Sequence, residues 1–236
     1  MVFGPLTQTS MTGTHSKFIN EEFLEAQVTP TRLDVLFAAG WRHSGYQFYR
    51  YNCAIYKNEI RAVIPLRIRL KNFVLSKSQR RILRKNSDVK TLIRPTIITS
   101  EAESMFRRHA ARFKENPPAS LFEYFFVSDP AVVPCETREL CVFEGSELIA
   151  ISYIDLGQDS ISGIYGMFEP THSRRSLGIY TILKEIEFAT ESGKEFYYLG
   201  YSYEGPSFYD YKKQFIGTEA YDWNGRWEPF IREQNV

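Results

Sequence analysis

Apolar runs separated by short polar turns are clearest in the second half of the chain. Three strand-like runs, 139–143, 147–155 and 160–167, are joined by the short polar turns 144–146 and 156–159. Short strand-like runs joined by turns that contain Gly are typical of consecutive antiparallel strands. The pattern therefore predicts a three-stranded meander.

An amphipathic helix and a further strand follow the meander. Gly193 is well placed to end the helix. We expect the short run 196–199 to lie parallel to 160–167, because such crossovers are right-handed and return to the same sheet. Meander, helix and parallel strand together predict an α+β fold of the GNAT acyltransferase type, with a mixed, mostly antiparallel sheet and flanking helices. The apolar positions of the helix are Ile179, Ile182, Leu183, Ile186 and Ala189.

A smaller α/β lobe is predicted for the first half. Thr29 and Pro30 are typical of a helix start, and Gly40 ends this short helix. The runs 46–56 and 61–70 are rich in aromatic and β-branched residues and flank a polar turn. They therefore predict a hairpin.

A basic helix follows the hairpin. Between Ser76 and Asn86, cations recur at i, i+3, i+4, i+7 and i+8, and no acidic residue lies among them. The spacing on its own favours a solvated helix face over one that contacts a nucleic-acid backbone. The cations are Lys77, Arg80, Arg81, Arg84 and Lys85.

Between the two halves, the sequence predicts a strand followed by a helix. Residues 89–99 have strand character. Ser100 and Glu103 form a capping-box signature at the start of a helix. The Asn-Pro-Pro sequence at 116–118 breaks the helical pattern. The boundary between lobes is expected within 88–101. The predicted organisation is a flexible tail over 1–20, an N-terminal lobe over 21–95 and a GNAT-like C-terminal domain over 96–236.

Composition and charge narrow the class of protein. The chain has 236 residues, 43% of them hydrophobic and 24% charged, and a net charge of +1. This is enough for one large or two small globular domains. The apolar runs are far shorter than the roughly 20 residues of a membrane helix, and 1–15 has no signal-peptide pattern, so a cytoplasmic protein is expected. Attraction to nucleic acid must come from local patches.

Cysteine and histidine spacing predicts neither disulfides nor a metal site. The three cysteines are widely scattered and make no CxxC pair, and the four histidines have no metal-ligand spacing. We therefore expect no metal. The residues concerned are Cys53, Cys135, Cys141, His15, His43, His109 and His172.

The segment 174–178, before the amphipathic helix, is a candidate anion site. The first N–H groups of a helix have no intrahelical acceptor, and the helix dipole favours an anion. Acetyl-CoA enzymes of this fold usually show Arg or Gln, two variable residues, Gly, one variable residue, then Gly or Ala. Arg175 and Gly178 fit that pattern, but Tyr180 puts a bulky side chain at its last position. CoA binding is therefore an alternative prediction.

Several motifs, in one order over most of the chain, carry a resemblance to a known family. In the second half they are Ile164-Tyr165, Phe168-Glu169-Pro170, Ser176-Leu177-Gly178, Glu185-Ile186-Glu187, Tyr197-Tyr198-Leu199-Gly200-Tyr201, Tyr211-Lys212 and Gln214-Phe215. In the first half they are Gly40-Trp41-Arg42, Ser44-Gly45, Tyr49-Arg50, Pro65-Leu66-Arg67-Ile68 and Ser76-Lys77-Ser78-Gln79-Arg80-Arg81. By these motifs the chain resembles the aminoacyl-tRNA-protein transferases, which include eukaryotic arginyltransferases and bacterial leucyltransferases.

The chain also departs from that family. Where bacterial members have closely spaced cysteines, it has Cys53, Tyr56, Ile60 and Val63. The resemblance therefore implies no metal or iron-sulfur site. The family's Tyr-Ile-x-x-Cys-x-Lys-Met segment corresponds to 202–209, whose different residues bear on the choice of donor or acceptor.

The resemblance implies a tRNA-dependent aminoacyl transferase. An amine of a protein or peptide attacks the ester of an aminoacyl-tRNA, with arginine or leucine as the expected amino acid, and the ribose oxygen leaves. Acceptors of the family begin with an acidic residue. Aminoacyl-tRNA serves as co-substrate, no cofactor or membrane takes part, and we expect a monomer. The alternatives are a CoA-dependent N-acetyltransferase and a non-catalytic tRNA-binding relative.

Candidate site residues follow from this chemistry and from the matched motifs. One group must accept the amine proton, and others must stabilise the tetrahedral oxyanion. The catalytic candidates are Glu169, Tyr201, Glu204 and Lys212. The substrate-binding candidates are Tyr165, Arg175, Ser176, Leu177, Gly178, Tyr203 and Tyr211. The tRNA-binding candidates are Lys77, Arg80, Arg81, Arg84 and Lys85.

Overall fold

A computed structural model describes residues 17–113, 119–125 and 129–231. Most of the predicted tail, together with His15 and the predicted helix break at 116–118, lies outside these ranges. Within them, none of the helices has the length and apolar character needed to cross a membrane.

The described chain forms twelve strands, five α-helices and three short 3-10 helices. The strands are β1 (Asn20–Leu24), β2 (Arg42–Ser44), β3 (Gln47–Tyr51), β4 (Cys53–Tyr56), β5 (Glu59–Arg69), β6 (Lys90–Pro95), β7 (Thr137–Glu144), β8 (Glu147–Leu156), β9 (Ser160–Phe168), β10 (Phe196–Tyr203), β11 (Thr218–Tyr221) and β12 (Trp227–Pro229). The α-helices are α1 (Pro30–Ala38), α2 (Lys77–Lys85), α3 (Ser100–Ala110), α4 (Phe122–Phe125) and α5 (Leu177–Glu191). The 3-10 helices are Leu70–Asn72, Pro170–Arg175 and Phe208–Gln214.

One large sheet organises the molecule. Its strand order is β12-β11-β5-β10-β9-β8-β7-β6, and β4 pairs with the first part of β5. Every pairing in it is antiparallel except that between β9 and β10. The predicted meander (β7, β8, β9), crossover helix (α5) and parallel strand (β10) are all present. The mixed, mostly antiparallel GNAT-like fold is therefore confirmed.

A second sheet of three strands, in the order β1-β3-β2, lies in the N-terminal part of the chain. The large sheet also takes a strand from that part, because β5 lies between β10 and β11. β5 therefore binds the N-terminal part to the remainder through backbone hydrogen bonds. The division of the chain near residue 95 stays a proposal about domains, and the large sheet extends across it.

The local details differ from the sequence prediction at two places. The run 46–56 is not one strand, because Asn52 interrupts it and bonds the backbone of Ile19 and Lys17 through its side chain. The N-cap of α3 is Thr99 rather than Ser100, since the Thr99 hydroxyl accepts the N–H of Ala102 at 3.1 Å. Both corrections involve side-chain to backbone hydrogen bonds that short polar residues make readily.

The inner face of α5 covers the centre of the large sheet. Leu183, Ile186 and Ala189 pack in one buried cluster with Leu66 and Ile68 of β5. The predicted apolar spacing of α5 is thus what fixes the helix over the strands on which the site is built. Gly193, with a φ of +70°, follows the last turn of the helix as predicted.

A buried ion pair connects β5 with β11. Glu219 accepts from Arg67 Nε at 2.7 Å and from Arg69 Nε at 2.6 Å, and the side chains of Arg67 and Glu219 are 7% and 9% exposed. The Arg67 guanidinium also lies over the rings of Phe196 and Trp227, at 3.9 and 4.4 Å from their centroids. Removing one partner would leave the other charge without compensation.

We expect Glu219→Ala to lower the free energy of unfolding by about 3–5 kcal/mol, because Arg67 then stays buried without a counter-charge. Urea unfolding followed by circular dichroism measures the loss. The control is Glu21→Ala, which removes the partner of Arg50 from a more exposed pair and should cost at most about 1 kcal/mol. Equal losses in the two variants would contradict this assignment.

Candidate active site at a splayed strand pair

The parallel strands β9 and β10 separate partway along their length. They pair only at Phe196 with Ser160, Tyr197 with Ile161 and Tyr198 with Ser162. Beyond these positions β9 continues beside β8 and β10 continues beside β5. The two strands therefore splay and leave an opening, which we call the splay.

Gly200 lies where β10 enters the splay. The register of β10 against β5 shifts between Tyr198 and Gly200, and Gly200 has a φ of +84°. A Cβ at this position would lie 3.3 Å from Lys212 Nζ and 3.9 Å from Arg42 Nε. The positive φ thus favours glycine, and a Cβ here would press on Lys212 Nζ.

Two lysines of the 3-10 helix Phe208–Gln214 bond the edge of β10 in the splay. Lys212 Nζ donates to the Tyr201 carbonyl at 3.0 Å, and Lys213 Nζ donates to the Tyr203 carbonyl at 2.7 Å. Carbonyls two residues apart on a strand face the same edge. The lysines therefore supply donors that a neighbouring strand would otherwise provide, and they hold the 3-10 helix against β10.

Lys212 carries an amine with an unusual proton affinity. Burial and, to a smaller extent, the nearby Arg42 guanidinium together lower its pKa to about 7. An amine with a pKa near 7 exists in both protonation states at neutral pH. It can therefore accept and return a proton during a reaction, as an ordinary lysine with a pKa near 10.4 cannot do efficiently.

Arg42 lies at the point where the strands part. It is 7% exposed, and its Nη1 donates to the Ser162 hydroxyl at 3.1 Å. Its guanidinium stands over the rings of Phe37, Tyr198 and Tyr201, while its Nε has no hydrogen-bond partner among the described residues. Burial lowers its pKa, against the attraction of Tyr201 and other groups.

Tyrosines surround the splay. Tyr203 packs against Tyr56 and Tyr209, with ring centroids 4.8 and 5.8 Å apart. Burial raises the pKa of Tyr165 to about 12 and also raises the pKa of Tyr211. These hydroxyls stay protonated near neutral pH and are available as donors. The Tyr201 hydroxyl already donates to the Gly40 carbonyl at 2.7 Å.

Some predicted site residues are engaged elsewhere. Glu169 accepts from Arg108 Nε at 2.9 Å in a two-point ion pair. Arg175 binds Asp88 at 2.8 Å and also pairs with Glu144. The structure thus brings together five predicted residues at the splay and does not connect Glu169 or Arg175 with them. Those five are Tyr165, Tyr201, Tyr203, Tyr211 and Lys212.

Glu204 follows β10 and is exposed, with its backbone N–H bonded to the Ala62 carbonyl at 3.0 Å. It borders the outer end of the splay. No described contact joins its carboxylate to Lys212. Its position is that of a surface residue beside the site.

The start of α5 has the features of an anion site. Ser176 is the N-cap in a left-handed conformation and its side chain makes no capping bond. The backbone N–H groups that follow it, at Leu177 and Gly178, have no intrahelical acceptor. Leu177 is fully buried, and Tyr180 is 5% exposed and packs in the core with it. Whether Tyr180 hinders the close approach of a pyrophosphate stays a prediction.

The basic helix α2 lies against the loop before α5. Asn86, just after α2, donates to the Arg175 carbonyl at 2.9 Å, and Lys85 donates to the Arg174 carbonyl. All the cations of the predicted stripe are exposed on α2. The packing places a positive surface next to the start of α5. The stripe comprises Lys77, Arg80, Arg81, Arg84 and Lys85.

Sequence reasoning assigned no role to Arg42. Its motif, Gly40-Trp41-Arg42, contributed to the resemblance, but nothing local distinguishes this arginine from one on the surface. A signal was available in hindsight, since Arg42 stands in an aromatic segment with little other charge. Because Arg42 is far along the chain from Ser162 and Lys212, the sequence gives no sign that the three residues lie close together.

The mixed sheet, with its crossover helix α5 and one parallel strand pair, is a GNAT-like acyltransferase fold. The profile "Arginine-tRNA-protein transferase, C terminus" matches residues 101–222, and "Arginine-tRNA-protein transferase, N terminus" matches 9–81. The chain belongs to the arginine-tRNA-protein transferase family. The resemblance seen in the sequence is thereby confirmed.

Relatives named aspartate/glutamate leucyltransferase cover most of the chain. The protein of Stenotrophomonas maltophilia (strain K279a) is 30% identical over 198 residues, which are 81% of this chain and 77% of the relative. That of Saccharophagus degradans is 32% identical over 199 residues, 81% of this chain and 80% of the relative.

Solved structures give weaker likenesses. FemX has a TM-score of 0.49 at 11% identity, covering 80% of this chain and 65% of that structure. L-PGS from Bacillus licheniformis has a TM-score of 0.42 at 12% identity, covering 68% of this chain and 60% of that structure. The chain spans less than two thirds of the length of either.

We expect Gly200→Ala to displace Lys212 and raise its pKa towards the ordinary value near 10.4, because the new methyl group occupies the space beside Nζ. NMR titration of reductively methylated lysines measures this, with Lys212→Arg identifying the signal. Gly145→Ala is the control: it also places alanine at a positive φ, but nothing lies within 4 Å of its Cβ. An unchanged Lys212 titration in Gly200→Ala would refute the spatial role of this glycine.

Proposed function

We propose that the protein transfers an amino acid from aminoacyl-tRNA to the amino group of a protein or peptide N-terminus. Membership of the arginine-tRNA-protein transferase family and the named activity of its relatives support this reaction. The observation that carries the proposal is Lys212, an amine with a pKa of about 7 beside the opening between β9 and β10. Such a group suits the aminolysis of an ester at neutral pH.

In the proposed reaction the acceptor amine attacks the ester carbonyl of the aminoacyl-tRNA. Neutral Lys212 accepts the proton that the nitrogen loses, and the tetrahedral oxyanion forms. As the carbon–oxygen bond breaks, the Lys212 ammonium returns a proton to the ribose oxygen. One amide bond forms, one ester bond breaks, and the lysine ends in its initial state. The ester is already activated, so the reaction needs no cofactor.

Other groups have supporting roles in this proposal. The hydroxyls of Tyr165, Tyr203 and Tyr211 are donors for the oxyanion or the substrate. Tyr201 acts through position, because its hydroxyl is bonded to Gly40 and its carbonyl holds Lys212. Glu169, bonded to Arg108, and exposed Glu204 are weaker candidates for the base than Lys212.

Leucine is the proposed donor residue, and peptides that begin with Asp or Glu are the proposed acceptors. Arg42 places positive charge at the splay, which repels an arginyl side chain and attracts an acidic one. The tyrosines offer an apolar surface that suits a leucyl side chain. The names of the relatives agree with this choice.

The terminal phosphates of the tRNA are proposed to bind at the start of α5, with the tRNA backbone along α2. Unpaired N–H groups near Ser176 favour an anion, and the exposed cations of α2 lie beside them. Phosphate contact by Arg175 would compete with its ion pairs to Asp88 and Glu144. The proposal includes a cytoplasmic enzyme that acts as a monomer.

A screen of the purified chain tests the reaction. The chain is incubated with charged total tRNA and peptides that differ only in their first residue, and products are read by mass. We expect peptides with an acidic first residue to gain the mass of one leucyl residue. Addition of an acetyl group from acetyl-CoA alone would favour an acetyltransferase. Binding of aminoacyl-tRNA without transfer would favour a non-catalytic relative.

We expect Lys212→Met to lower the transfer rate by about 10²–10⁴-fold, because the proton acceptor is lost. Below pH 7 the logarithm of the wild-type rate should rise with a slope of about two, since both Lys212 and the acceptor amine must lose a proton. In the variant the slope should fall to about one. Rates at limiting substrate over a pH series measure both effects.

Lys213→Met is the matched control, because Lys213 also donates to a β10 carbonyl but is paired with Asp210. It should retain the two-proton pH profile. The same slope in Lys212→Met and the wild type would exclude Lys212 as the base.

We expect the double variant Arg80→Ala, Arg81→Ala to weaken aminoacyl-tRNA binding and reduce the salt slope by about two units, one for each lost phosphate contact. Binding measured over a range of salt concentrations gives the slope. The control is Arg32→Ala, Arg107→Ala, which removes the same charge from exposed positions on α1 and α3. Equal slopes in the two double variants would leave α2 as a solvated surface.

A further inference from the structure

Three side chains of metal-ligand type converge at one buried place on the N-terminal side of the molecule. His43 Nε2 lies 3.1 Å from Asp155 Oδ2 and 4.0 Å from Cys135 Sγ, and Cys135 Sγ lies 3.5 Å from Asp155 Oδ1. The three ligand atoms lie within 4.8 Å of one another. They come from β2, from the segment before β7 and from β8.

The histidine is oriented as a metal ligand. Its Nδ1 lies 2.8 Å from the Gly45 carbonyl, which can only accept, so Nδ1 carries the hydrogen. In the neutral ring the lone pair of Nε2 then faces Cys135 and Asp155. Metal-binding histidines usually have their second nitrogen bonded in this way. The Asp155 carboxylate presents one oxygen to each neighbour.

The dimensions and charge of the cluster suit zinc. Ligands bound tetrahedrally at about 2.0–2.3 Å from zinc are separated by roughly 3.5 Å. The closest contacts here, 3.1, 3.5 and 4.0 Å, are near that value, with His43 nearest one Asp155 oxygen and Cys135 nearest the other. A thiolate and a carboxylate together neutralise a divalent ion, which matters because Cys135 and Asp155 are 3% and 2% exposed. Thiolate and imidazole ligands favour zinc over magnesium or calcium.

We propose that His43, Cys135 and Asp155 form a zinc-binding site of structural character. On binding, the ion displaces the thiol proton and the proton that the imidazole shares with Asp155, and both pass to solvent, so the net charge of the site is unchanged. The second Asp155 oxygen or a water completes the coordination.

The site connects parts of the fold that are distant in sequence. β2 belongs to the three-stranded sheet, whereas β8 belongs to the large sheet. Coordination would therefore fasten the small sheet to the large one. Arg42 precedes His43 on β2, and neighbouring residues of a strand face opposite sides. Fixing His43 thus also fixes Arg42 at the splay.

The cluster does not involve Cys53, the residue at the position of the family's cysteine-rich segment. Cys53 lies on β4 and is not among the three converging residues. The site therefore uses a cysteine, an aspartate and a histidine from other parts of the chain. Its local spacing carries no metal signature, which is why the sequence predicted none.

Metal content of the full chain tests the proposal without reference to transfer activity. The protein is purified without a histidine tag, stripped with a chelator, incubated with Zn²⁺ and desalted, and zinc is counted by mass spectrometry. We expect about one zinc ion per wild-type chain. Cys135→Ser and His43→Gln should each reduce retained zinc at least tenfold. Zinc retention by both variants at the wild-type level would overturn the assignment.

Cys141→Ser and His109→Gln are matched controls. Cys141 is also a buried thiol beside a carboxylate, 3.6 Å from Glu139, and His109 is a buried imidazole bonded to the Phe168 backbone. Both controls should retain zinc. Loss of zinc in either control to the level of Cys135→Ser would count against the proposed ligand set.

Cobalt substitution decides the question even if a ligand variant fails to fold. Co²⁺ in the wild-type chain should give a thiolate-to-metal charge-transfer band and the visible absorption of a tetrahedral ion. Cys53→Ser should leave this spectrum unchanged. A wild-type chain that binds neither Zn²⁺ nor Co²⁺ after desalting would show that the three residues form only a hydrogen-bonded cluster, and the proposal would be withdrawn.

Discussion

The separation of β9 from β10 is the constraint on which the candidate site depends. A strand edge without a neighbour leaves buried backbone groups unpaired, at a cost of about 1–3 kcal/mol for each. Lys212 and Lys213 meet this requirement at the carbonyls of Tyr201 and Tyr203. To reach its carbonyl the Lys212 amine must leave water, and that burial lowers its pKa to about 7. One structural requirement thus provides both the opening and its titratable group.

The two buried arginines, Arg67 and Arg42, have different neighbours for their charge. In the scaffold, Arg67 is buried against Glu219, so its charge is balanced. At the splay, Arg42 is buried with a hydroxyl and aromatic rings as its neighbours, and its Nε lacks a described partner. A cation buried without a direct ion pair is costly. Retaining one beside Lys212 makes the splay receptive to a negatively charged group.

Much of the architecture could be predicted because it follows from local periodicity. The meander, α5 with its Gly193 terminus, the parallel strand and the basic helix α2 each rest on neighbouring residues. The three-stranded sheet could not be predicted in the same way, since β2 has only three residues and β3 ends where Asn52 bonds remote backbone. Predicted residues such as Glu169 and Arg175 were recognised, but their ion pairs depend on distant partners.

Spacing and motifs along the chain are enough to predict the type and order of the main elements, the family and most residues that border the splay. Which of these groups meet is settled only when the chain folds. Arg42 and Lys212 are far apart in the chain. They meet because Arg42 of β2 bonds Ser162 of β9 and the 3-10 helix brings Lys212 back to the Tyr201 carbonyl of β10. Proton affinity depends on burial and neighbouring charge, and both are properties of the folded chain.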